Sequence, residues 1–185
     1  MEAEKEYKLS QSEREFLLRL ASDSIRRRLE ESPLPRHQIA SETLKQKRGA
    51  FVTLHKHGRL RGCIGYIQGI RPLYETVIDM AAAAAFDDPR FPPVTPEELP
   101  ELDLEISVLS PLKEVRELEE IEVGKHGLYL TLGAFSGLLL PQVATENGWD
   151  RETFLEQTCL KAGLPPAAYK DEKAKLYLFS AEVFS

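Results

Sequence analysis

Residues 50–67 read AFVTLHKHGRLRGCIGYI, and the fold turns on how this stretch is paired. Ala50–His55 and Arg59–Ile67 have the composition of two short strands, with Lys56-His57-Gly58 between them. Gly58 supplies the positive φ that a tight turn needs, so the segment is expected to be a β-hairpin. Strict alternation along its second arm puts Leu60, Gly62, Ile64 and Tyr66 on one face and Arg61, Cys63, Gly65 and Ile67 on the other. Arg61 and Cys63 are then neighbours. A guanidinium beside a thiol favours the thiolate, which is the reactive form. Gly62 and Gly65 weaken a strand but let a ligand or another backbone come close. The plainer reading makes Cys63 a small buried side chain and the glycines the mark of a bulge.

Upstream, Ser10 with Glu13, or Ser12 with Glu15, forms a capping box, and Phe16, Leu17, Leu20, Ala21, Ile25 and Leu29 recur at helical spacing. Pro33 and Pro35 end that helix. A short helical piece is expected near Ser41–Gln46. Downstream, Pro72 opens a second helix through Leu73, Val77 and Met80 into Ala81–Ala85, whose small side chains allow another backbone to approach closely. Asp87–Pro100 is a proline-rich loop. Leu102, Leu104, Ile106 and Val108 alternate with polar residues as a strand with one covered face.

Two further strands are expected at Gly127–Leu132 and Leu138–Val143, a helix capped by Asp150 over Arg151–Ala162 with Gly163 as its stop, and a closing strand over Lys175–Phe184. Strands and helices do not alternate regularly, so a doubly wound parallel sheet is not expected. The order fits an α+β chain, with an antiparallel or mixed sheet and helices packed on it.

The 185 residues suit one domain, or two subdomains sharing a core, and carry a net charge of -6. Such a surface repels a phosphate backbone, so nucleic acid is not the expected partner. One basic run, from Lys45 to Arg61, keeps an anion-binding face open. No apolar run reaches the roughly 20 residues of a membrane span. The charged first residues are unlike a secretory signal, so a cytoplasmic location is expected.

The two cysteines have no zinc spacing and suit free thiols. Cys159 shares a helical face with Leu155 and Ala162, which marks it as core. His55 and His57 flank a turn with no acid nearby, so no metal site is expected there. His37 and His126 have no visible partner. Asp87-Asp88-Pro89-Arg90-Phe91 is a loop rich in charge held by prolines, a common setting for sites. Gln142 lies in a polar group at a strand end and can read an amide or hydroxyl.

Leu60–Gly65 (LRGCIG), Ala82–Phe91 (AAAAFDDPRF), Glu105–Leu109 (EISVL), Gly137–Thr145 (GLLLPQVAT), Trp149 and Thr158–Leu164 (TCLKAGL) together resemble the AMMECR family, named for a chromosomal region linked to Alport syndrome, midface hypoplasia and elliptocytosis. The resemblance implies an α+β fold with a larger and a smaller subdomain and a groove between them. It also implies a suspected functional role for LRGCIG and an association with Memo-type proteins, but no established reaction, and it leaves the cofactor unknown. The residues it brings forward are Cys63 as a nucleophilic or redox thiol, with Arg61, Gly62, Gly65, Arg90 and Gln142 as ligand-binding candidates. The competing expectation is a binding module in which Cys63 only packs.

Overall fold

The computed structural model describes residues 8–33, 35 and 38–185; the readings made for His37 and for the first six residues fall outside these. The described chain is α+β, with two four-stranded sheets, and divides into two compact units.

The first unit comprises Met1–Leu109 and Glu182–Ser185. Its first helix, α1 (Gln11–Leu29), begins with the expected capping box of Ser10 and Glu13. Leu17, Leu20, Ala21 and Ile25 form its buried stripe, and Arg26, Arg27 and Arg28 sit in the last turn, where cations suit the helix dipole. A single turn, α2 (Glu42–Lys45), is capped by Ser41. The hairpin follows as β1 (Ala50–Lys56) and β2 (Arg59–Tyr66). His57 and Gly58 form its two-residue turn, with φ of 50° and 71°. Positive φ at both central residues is the pattern whose twist matches the flanking strands. The histidine's positive φ was not foreseen.

The alanine-rich helix is α3 (Leu73–Phe86). It packs on α1 and on both hairpin strands. Ser24 of α1 donates its hydroxyl to the Ile78 carbonyl at 2.8 Å. β3 (Leu102–Leu109) lies antiparallel to β1, pairing Val52 with Ile106 and Ala50 with Val108. These four side chains are fully buried. A last strand, β8 (Ala181–Phe184), lies beside β3 and completes the order β2-β1-β3-β8. β2 is thereby an edge strand.

The second unit, Ser110–Ala181, holds β4 (Lys113–Glu114), β5 (Gly127–Leu132), β6 (Phe135–Leu139) and β7 (Lys175–Phe179), in the order β4-β7-β5-β6. Its helices are α4 (Pro141–Glu146) and α5 (Arg151–Lys161). Leu128, Leu130, Ala144, Phe154, Leu155 and Cys159 form its core. Two strand expectations are corrected here. Leu138–Val143 does not stay extended: the strand ends at Leu139, and Pro141 starts a helix, where its missing N–H costs nothing. Lys175–Phe184 is two strands in two different sheets, parted at Ser180.

Candidate functional site

A one-residue bulge sets the geometry of the LRGCIG segment. A straight hairpin closed by His57-Gly58 would pair Thr53 with Gly62. Instead His55 faces Leu60, Leu54 faces Gly62 and Thr53 faces Cys63, which leaves Arg61 without a partner on β1. The inserted residue resets the alternation beyond it. Gly62 and Ile64 pair with the core residues Leu54 and Val52. Gly65, Cys63 and Leu60 pair with Phe51, Thr53 and His55, which alternate along the other side of β1. Leu60, expected on the face of Gly62 and Ile64, is therefore on the side of Cys63 and Gly65 instead.

Cys63 is half-buried. Its thiol accepts a hydrogen bond from Thr53 Oγ1 at 3.3 Å across the strand pair. On the outer edge of β2, its N–H donates to Asp88 Oδ2 at 2.9 Å and its carbonyl accepts from Arg90 Nη2 at 3.2 Å. One side-chain pair thus occupies the main-chain donor and acceptor that a further strand would use.

The local sequence builds this brace. Asp88-Pro89-Arg90-Phe91 closes a turn in which the Phe91 N–H donates to the Asp88 carbonyl at 3.1 Å, with Pro89 at the position that suits its fixed φ. Asp88 Oδ1 also accepts the Arg90 backbone N–H at 3.1 Å, an Asx turn. The Arg90 guanidinium then closes on the carboxylate through Nε at 2.9 Å and Nη2 at 2.7 Å. The Asp88 side chain is only 2% exposed. The Arg90 guanidinium holds its carboxyl well below the usual carboxylate range, helped by the backbone N–H groups of Cys63 and Arg90 and opposed by burial. Arg90 itself is 53% exposed, so this cation has a free side.

Arg61 turns to a different partner. It makes a two-pronged ion pair with Glu98, Nε to Oε1 at 3.0 Å and Nη2 to Oε2 at 2.9 Å. Lys56 Nζ reaches the same carboxylate at 3.3 Å, and the Thr95 N–H donates to it at 3.1 Å. Arg61, foremost, draws the Glu98 pKa down to about 2. Glycine is required in this segment by packing. A Cβ on Gly62 would collide with the Ala84 carbonyl of α3, and one on Gly65 with the Phe51 ring.

The first unit therefore brings together Arg61, Gly62, Cys63, Gly65 and Arg90. Gln142 belongs to the second unit, half-buried in α4, and its carbonyl accepts from Thr145 Oγ1 at 2.8 Å. Cys159 is fully buried, and burial pushes its thiol up. His57 lies with Nε2 3.4 Å from Glu101, and His126 accepts the Glu122 N–H at its Nδ1. Sequence reasoning passed over Thr53, Asp88 and Glu98 as site residues. The Asp-Pro-Arg turn was a usable signal for Asp88. Nothing local distinguished Thr53, whose position depends on the bulge.

Among the described residues no three histidine, cysteine or acidic side chains are grouped to hold a metal ion, and no helix is long and apolar enough to cross a membrane.

The AMMECR1 family profile matches residues 18–184. A protein of Methanothermobacter thermautotrophicus is 47% identical over 95% of both chains. A protein of Thermococcus kodakarensis is 48% identical over 96% of this chain and 92% of its own. The crystal structure of an uncharacterized protein from Pyrococcus horikoshii superposes with a TM-score of 0.83 at 44% identity, covering 91% of this chain and 88% of that one.

Proposed function

The chain is a member of the AMMECR1 family, and on that premise we propose that Cys63 is its chemically active group, a nucleophilic or redox thiol acting on a small molecule or a modified macromolecule. The observation that carries this reading is the Thr53 hydroxyl donating to a half-buried Cys63 thiol whose main chain is pinned on its outer side by Asp88 and Arg90. Cys159, by contrast, is fully buried, with backbone groups of Ala168 and Tyr169 as its partners. A donor aimed at sulfur orients it, and a rigid backbone keeps the nucleophile aligned without a cost in entropy at the moment of attack. The open side of the Arg90 guanidinium is the ligand-orienting cation in this scheme. Arg61, held by Glu98, positions the strand. The thiol adds to an unsaturated electrophilic carbon of the ligand: the sulfur–carbon bond forms, the π pair of that carbon moves to its neighbouring atom, and the thiol proton leaves to solvent. Two free thiols suit a reducing cytoplasm.

Alkylation of the native protein with iodoacetamide at pH 7, followed by peptide mapping, tests the proposal. Cys63 is expected to react faster than glutathione under the same conditions, with Cys159 unmodified as the internal control. A Cys63 rate at or below that of glutathione ends the proposal.

A second reading rests on Leu60, Tyr66 and Ile70, which are large, apolar and 42%, 40% and 57% exposed on or just after β2. They suit a binding module for a partner protein, with a Memo-type protein the first candidate. Under that reading a Cys63→Ser variant keeps its cellular function while Leu60→Asp loses it. Under the thiol reading Cys63→Ser is inactive although folded.

A further inference from the structure

The turn end of the hairpin holds a cleft of about 420 Å³, lined by Lys56, His57, Arg59, Leu60 and Arg61. Its volume falls in the usual range for small-molecule sites, about 300–1,000 Å³. Four of its five lining side chains are basic, in a protein whose net charge is -6. We infer that this cleft is a binding site for the phosphate group of a small molecule.

The acids nearby are already engaged, which orders the cations and leaves capacity over. Glu98 accepts from both prongs of Arg61 and from Lys56. Glu101 takes the second contact of Lys56, at 2.8 Å, and stands 3.4 Å from His57 Nε2. Two carboxylates thus face three permanent cations. Arg59 is the one left over: it is exposed, on the first residue of β2, and has no ion-pair partner among the described residues. Arg61 is 9% exposed, and its Nη1 is buried with no hydrogen-bond partner.

The chemistry of the lining selects the ligand. Arginine forks match phosphate oxygens two at a time, and lysine adds a point charge. Arg61 and Lys56 share one carboxylate, and with Arg59 they line one opening. The cleft takes one small anion. A polyanion would need a continuous basic face, which the acidic side chains beside it interrupt. The site does not depend on the reactivity of Cys63.

The test is a titration of the full chain with inorganic phosphate at constant ionic strength, chloride replacing phosphate, followed by amide NMR shifts. Saturable shifts confined to residues 56–61 are expected. Arg59→Gln should weaken binding at least tenfold while leaving the thermal midpoint unchanged, because Arg59 makes no contact that the fold uses. Cys63→Ser should bind phosphate as the wild type does, which separates this site from the thiol. Shifts that do not saturate, that chloride reproduces, or that survive unchanged in Arg59→Gln would overturn the inference. Nucleic acid binding at the same residues with no response to phosphate would overturn it too.

Discussion

Gly62 and Ala84 meet main chain to main chain: a Cβ built on Gly62 would stand 2.1 Å from the Ala84 carbonyl oxygen. The alanine run of α3 and the glycine of β2 are two halves of one contact. Neither element can retreat easily, since α3 is packed on α1 and β2 is hydrogen-bonded to β1. Gly62→Ala should therefore destabilise the protein by about 1–3 kcal/mol, the usual cost of overpacking a filled interior. Urea unfolding measures this directly. A midpoint equal to that of the wild type would show that the strand can lift off the helix at no cost.

Asp88 is both a buried carboxylate and the acceptor for an edge-strand amide. Asp88→Ala removes the acceptor for the Cys63 N–H and the counter-charge of Arg90 together. The stability lost should be about 1–3 kcal/mol, the range for an unsatisfied donor, and the exposure of Arg90 keeps it from being larger. The sharper readout is hydrogen exchange. The Cys63 amide should lose protection in Asp88→Ala while amides in the centre of β1 keep theirs. If the Cys63 amide exchanges at the wild-type rate, the carboxylate is not what protects it.

Glu98 gives a pH dependence of known sign. Its carboxyl has a pKa of about 2 in the folded protein, chiefly through Arg61, against about 4.3 in an unfolded chain. Between those values the unfolded chain binds more protons, so stability rises with pH. The contribution is complete above about pH 4.5 and is lost as pH falls toward 2. Urea midpoints for wild type and Glu98→Gln should differ most near neutral pH and converge below pH 3. Parallel curves across the whole range would mean that the Arg61 contact contributes nothing to folding.

The hairpin, the capping box of α1, the alanine helix and the helix capped by Asp150 were legible because each is decided by neighbours in sequence. The strand breaks were not: the one at Ser180 depends on which sheet receives the next residues, and the one at Leu139 on a helix that starts at Pro141. The site divides in the same way. Cys63 and Arg90 stood out by residue type, and the Asp-Pro-Arg turn is local. The face of Leu60 was misread because strict alternation has no term for a bulge. One inserted residue set Thr53 opposite Cys63, and Arg61 reaches Glu98. Glu98 lies 37 residues from Arg61, and no local pattern connects them.

Thr53 isolates the thiol's environment from the fold. It sits on β1 between β2 and β3, where valine is an excellent strand former of the same shape. Thr53→Val removes only the hydroxyl that donates to Cys63 Sγ, a contact recorded at 3.3 Å. Stability should change by no more than about 1 kcal/mol, the net worth of one neutral hydrogen bond. Alkylation of Cys63 at pH 7 should slow several-fold, because the hydroxyl that orients the sulfur is gone. Thr53→Ser keeps a hydroxyl at the same position and should hold the rate near that of the wild type. The pair of variants separates hydrogen bonding from packing: a slow valine variant with a fast serine variant assigns the effect to the hydroxyl. Equal rates in all three proteins would show that the cross-strand contact has no influence on the thiol.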